Sequence, residues 1–154
     1  MRYKRRKGKK TINSNKIKYD GINFSSGLER YCYIALKKEK LYEHGSYEGE
    51  TFTILEGFQF TNEEYSRQSN GKGEYTLRSP KKTLGIKYTP DFVASDYIIE
   101  CKGRANESFP LRWKLFKAWM TNTGDSRPLY KPQNQKEVDR TIELIKESRK
   151  RNQD

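Results

Sequence analysis

The stretch YTPDFVASDYIIECKG, residues 88–103, constrains the fold of this chain more than any other. Phe92–Val93 and Ile98–Ile99 are two short apolar runs around a turn, the pattern of a hairpin inside a buried sheet. With Ser95 and Asp96 as a two-residue turn, Ala94 pairs with Tyr97, Val93 with Ile98, Phe92 with Ile99 and Asp91 with Glu100. Directly opposed residues share a face with Cβ atoms about 5 Å apart. Strand alternation puts Ile98, Glu100 and Lys102 on that same face. Two carboxylates and an amine therefore converge on one patch. Opposed like charges destabilise a sheet, and a divalent cation removes the conflict. Mg²⁺ takes oxygen ligands, commonly one or two carboxylates with water and phosphate oxygens completing the shell. Such a cation polarises a phosphoryl group, and Lys102 is placed to orient a water or to neutralise charge on the phosphate. The plainer alternative is a turn-capping Asp91 with a Glu100–Lys102 surface pair.

Helix signals flank the hairpin. Leu28, Tyr31, Cys32, Ala35 and Leu36 recur with helical period, and Ser26 three residues before Glu29 forms a capping box. Glu29 lies beside that stripe and is a third candidate carboxylate; closing the capping box is its ordinary role. TFTILEGFQF alternates Phe52 and Ile54 against Thr51 and Thr53, the pattern of one or two strands. Residues 62–82 are polar and glycine-bearing, either a long connection or the tip of an extended hairpin. Leu111, Leu115, Ala118 and Trp119 mark a second helix with Pro110 in its first turn. RPLYKPQ holds a further short extended segment. Asn134 and Glu137 cap a last helix that buries Val138, Ile142 and Ile145, and the chain is expected to fray over 148–154. This order predicts an α/β fold, a central mixed β-sheet flanked by α-helices, in a single domain over 19–147.

The net charge of +12 points to a polyanionic partner, and nine Lys or Arg without an acid in the first 18 residues predict a flexible basic arm over 1–18. Arg5, Arg6 and Lys7 in that arm are candidate nucleic-acid contacts. No run of 18 apolar residues and no leader-like segment is present, so no membrane partner and a cytoplasmic protein are expected. The two cysteines and single histidine lack zinc-site spacing.

SSGLERY, YTPDF and ECKG together resemble the PD-(D/E)xK nucleases, most closely the phage Holliday-junction resolvases of the endonuclease I type. They are also similar to the endonuclease subunit of some transposases. The resemblance implies a restriction-endonuclease-like core. It implies that Glu29, Asp91 and Glu100 bind Mg²⁺ or Mn²⁺, that Lys102 assists the attacking water, and that these four residues are catalytic. The implied activity is metal-dependent hydrolysis of DNA phosphodiesters, structure-selective for branched DNA, by a homodimeric phage or mobile-element protein in a bacterial host. Arg104, Arg112 and Lys114, soon after the active strand, are then candidate phosphate contacts, while Trp113 and Trp119 are expected in the core. A transposase end-cutting or restriction-like subunit, a non-catalytic DNA-binding module and an RNA-directed nuclease stand as alternatives.

Overall fold

The structure, a computed structural model, describes residues 16–78 and 81–154. In chain order its elements are β1 (Ile17–Tyr19), β2 (Ile22–Phe24), α1 (Gly27–Lys38), β3 (Phe52–Leu55), β4 (Phe58–Phe60), β5 (Tyr65–Ser66) and β6 (Thr76–Leu77). They continue with β7 (Lys81–Thr83), β8 (Ile86–Tyr88), β9 (Phe92–Val93), β10 (Ile98–Ile99), α2 (Phe109–Thr123), β11 (Leu129–Tyr130) and α3 (Gln135–Arg151).

The hairpin forms in the expected register, with Ile98 opposite Val93 and Ile99 opposite Phe92 in antiparallel pairing. On its other edge β10 runs parallel to β11. The amides of Ile98, Glu100 and Lys102 donate in turn to the carbonyls of Pro128, Tyr130 and Pro132. The outcome is a small mixed sheet ordered β9, β10, β11. Tyr47 bridges to Phe92 along the free edge of β9.

Alternation sorts the side chains of this sheet into two cores. Phe92, Ile99 and Cys101 face α1 and α3, packing with Cys32, Leu36, Val138, Ile142 and Ile145. Val93 and Ile98 face α2 and the β3–β8 pair, packing with Phe52, Tyr88, Phe109, Phe116 and Met120. Helices thus cover both faces, as a mixed α/β arrangement requires.

The caps of α1 and α3 are those anticipated: Ser26 Oγ accepts from the Glu29 amide, and Asn134 Oδ1 from the Glu137 amide. Other expectations need correction. β3 and β4 do not join the central sheet. With β5 to β8 they fold into one long antiparallel ribbon, so residues 62–78 and 81–82 lie in its distal half, the extended hairpin of the two alternatives. A bulge between Thr53 and Leu55 interrupts the ladder, and next to it a Cβ on Gly85 would collide with the Leu55 carbonyl, so the strands cross where only glycine fits. On α2 the buried residues are Phe109, Phe116 and Met120, while Leu111 is 61% exposed and Ala118 is also exposed. Large aromatic rings fill the space under the ribbon base, so of the expected stripe Leu115 and Trp119 pack against them while Leu111 and Ala118 do not. Phe116 is central there, with ring centroids 4.8 Å from Tyr88 and 5.4 Å from Phe52. Phe116→Ala is expected to cost about 3–5 kcal/mol, read as a lower urea midpoint.

The chain ends also differ from expectation. β1 begins at Ile17, inside the segment assigned to the arm, and pairs Ile17 with Phe24 and Lys18 with Asn23. Asp20 and Gly21 make the turn, both at positive φ (51° and 75°). Arg5, Arg6 and Lys7 lie outside the described residues. At the other end α3 does not fray at 148 but continues to Arg151. Arg149 grips Asp96 with two hydrogen bonds of 2.7 and 2.9 Å, while Glu43 accepts from the Ser95 amide at 2.9 Å, so the hairpin turn is clamped from two sides. No helix among the described residues is long and apolar enough to cross a membrane.

Candidate active site

The open end of the hairpin meets the first turn of α1 in a cleft of about 330 Å³, whose lining includes Glu29, Tyr88, Asp91, Glu100, Lys102 and Arg112. All four residues singled out from SSGLERY, YTPDF and ECKG are therefore in one place. Glu29 comes from α1, Asp91 from the start of β9, and Glu100 and Lys102 from the extension of β10.

Each carboxylate is held differently. Glu29, 6% exposed, accepts from the Tyr47 hydroxyl (2.7 Å), the Ser26 hydroxyl (2.8 Å) and the Ser25 amide (3.3 Å). Its capping role and its place in the cleft thus coexist. Asp91 accepts from the Cys101 amide across the hairpin at 2.6 Å. Burial, then the charges of Glu100 and Glu29, push its carboxyl up to about 9. Glu100 is buried, and desolvation raises its pKa against the pull of Lys102. Its Oε2 makes no hydrogen bond of normal geometry, and neither does the neighbouring buried Tyr88 hydroxyl. The Tyr88 hydroxyl interacts with this carboxylate only at poor geometry, and a buried carboxylate oxygen so poorly satisfied is rare enough to require a reason.

Lys102 Nζ lies 3.4 Å from Glu100 Oε1 and 4.6 Å from the centre of the Phe109 ring. Arg112 reaches into the cleft, donating to the Lys87 carbonyl and lying against the Tyr88 ring. Of the other basic candidates, Lys114 is exposed and lines neither this cleft nor its neighbour, and Arg104 lines the neighbouring one. Trp113 and Trp119 pack against the aromatic core, as expected.

Sequence reasoning missed Glu48. Carboxylate oxygens of Glu29, Glu48 and Asp91 lie within 4.8 Å of one another. Glu48 arrives beside the edge of β9, where its amide donates to the Asp91 carbonyl (2.8 Å) and the Val93 amide donates to the Ser46 carbonyl (2.9 Å). Its backbone is left-handed, φ 46°, an uncommon state for a residue with a Cβ. The only local signal was the adjacent Gly49; the proximity to Asp91 is long-range and leaves no mark in spacing.

This donor set fits a hard divalent cation. The available ligands are all oxygens, burial and then the neighbouring carboxylate charges keep Asp91 protonated until a cation compensates it, and Glu100 Oε2 lacks a hydrogen bond of normal geometry. Glu48→Gly is expected to relieve the left-handed backbone, stabilising the cation-free protein by up to about 1 kcal/mol, while weakening Mn²⁺ binding; paired urea titrations and calorimetry check both signs. No family model, curated protein or solved structure matches this chain.

Proposed function

We propose that this chain is a Mg²⁺- or Mn²⁺-dependent DNA endonuclease of the PD-(D/E)xK type that hydrolyses phosphodiester bonds. One observation carries the reading: Glu29, Asp91, Glu100 and Lys102, picked out by residue pattern alone, line a single cleft where three carboxylates face one ammonium. Selectivity for branched DNA and a homodimeric state rest on the sequence resemblance.

Glu29 and Asp91, whose carboxylate oxygens lie within 4.8 Å of one another and of a Glu48 oxygen, would hold the cation, with Glu100 lining the same cleft. When bound, the cation supplies Lewis acidity toward the scissile phosphate. The chain's own residues do the rest. Cys101 N–H fixes one oxygen of Asp91 and so sets the direction of the other. Glu100 offers Oε2, which has no hydrogen bond of normal geometry among the described residues. The Lys102 ammonium, kept close by Glu100 and the Phe109 ring, neutralises charge that builds on the phosphate or orients the attacking water. Arg112 adds a second positive charge at the cleft wall, a place for a non-bridging phosphate oxygen.

The test is a panel of single strand, linear duplex, flap and four-way junction, each with Mg²⁺ and with chelator. Metal-dependent cutting of the junction and flap in preference to duplex is the expected result. Cutting of linear duplex at a fixed sequence replaces branch selectivity with a restriction-like or transposase-type role. Binding without cutting in either metal replaces catalysis with a DNA-binding module.

A further inference from the structure

A second cleft, of about 440 Å³, adjoins the first on the other side of Lys102, and its lining includes Lys102, Arg104, Phe109, Trp113 and Lys131. Lys102 and Phe109 line both clefts, so the two share a wall. Their charge is opposite in kind. Three carboxylates line the first, whereas no carboxylate lines the second. Among the described residues neither Arg104 nor Lys131 forms an ion pair.

The position of Lys131 is built rather than incidental. It follows β11, and the next residue, Pro132, accepts the Lys102 amide at 3.0 Å, so parallel pairing fixes it beside the active strand. Its Nζ lies 6.0 Å from the Phe109 ring centre and 5.8 Å from that of Trp113, over two rings stacked at 5.5 Å. An aromatic floor attracts the ammonium and orders it without neutralising its charge. The cation remains available to an anion.

We propose that this cleft is a phosphate subsite of the nucleic-acid strand being cut. It binds a backbone phosphate flanking the one presented to the carboxylates, with Arg104 and Lys131 as its contacts and Trp113 as an apolar wall for the sugar. The inference rests on the nucleic-acid substrate proposed above. A strand is favoured over a free phosphorylated metabolite because a ligand crossing Lys102 must present one phosphate to the cation that the carboxylates would hold and another to the basic cleft. Contacts of this kind position a strand without reading its bases.

The test compares the full chain with an Arg104→Ala/Lys131→Ala variant and a charge-matched control, Lys38→Ala/Lys150→Ala, on the exposed α1 and α3 surfaces. Binding of a fluorescein-labelled four-way junction is followed by anisotropy in EDTA over a series of salt concentrations, and Mg²⁺-dependent cleavage is scored separately. The subsite variant is expected to bind at least about tenfold more weakly than the control, with a salt slope smaller by about 1–2. Equal binding and equal salt slopes for the two variants overturn the subsite, even if the wild-type protein cleaves. A binding difference without cleavage by any form keeps the subsite and removes the hydrolytic reading. Absence of DNA binding by the wild-type chain overturns both.

Discussion

Glu100→Gln is expected to lower the rate of Mg²⁺-dependent phosphodiester cleavage by about 10²–10³-fold and, in chelator, to make the protein more stable rather than less. The two effects have one origin. Glu100 is 5% exposed, and one of its oxygens is buried beside Asp91 without a hydrogen bond of normal geometry. In the folded, cation-free protein its charge is a burden that a neutral amide of the same shape removes. The expected gain is about 0.5–2 kcal/mol, the size of a typical relief of site strain. Single-turnover cleavage and urea unfolding of the same preparation read both. A variant that cleaves normally, or one that loses both activity and stability, would show that Glu100 is a structural residue.

The second large effect concerns pH and metal together. Asp91 titrates near 9 in the folded chain, against an ordinary value of 3.8. Between those values the folded state holds a proton that the unfolded state has lost, so stability in chelator falls as pH rises from about 4 to 9. The burial penalty is absent below that window, where Asp91 is protonated in both states. A divalent cation binds the deprotonated site, so Mn²⁺ is expected to raise the melting temperature little at pH 5 and strongly at pH 8 to 9, with proton release on binding. Each kcal/mol corresponds to about 2–4 °C for a chain of this size. Asp91→Asn should flatten both the fall in chelator and the rise with Mn²⁺. A melting temperature in chelator that climbs steadily from pH 5 to 9 would contradict the buried carboxylate cluster.

How much of this was legible in the sequence follows the range of the interactions. Caps and hairpin register depend on residues no more than seven positions apart, so Ser26–Glu29, Asn134–Glu137 and the Phe92–Ile99 pairing could be read directly. The buried face of the second helix was read half correctly because apolar side chains surround it: Leu115 and Trp119 pack against the core, Leu111 and Ala118 do not. Leu111 and Ala118 share its periodicity with Phe109 and Phe116, and only the rings of Phe52 and Tyr88, brought in by the ribbon, select the aromatic side. The ribbon joins residues up to 36 positions apart, Phe52 with Tyr88, through strands too short and too polar to announce their partners. Glu48 and Lys131 escaped for the same reason: each reaches its cleft through backbone pairing with a distant strand.

The clamp of Arg149 on Asp96 gives the hairpin an electrical asymmetry. At the turn, opposite charges pull it onto α3; at the open end, Asp91 and Glu100 repel one another whenever both are ionised. A pinned tip lets the mouth carry repulsion that would separate a free hairpin, so the last helical turn acts as the counterweight of the acidic mouth. Trimming the chain just before Arg149 would then be felt some fifty residues upstream in sequence, as a loosening of the carboxylates it never touches.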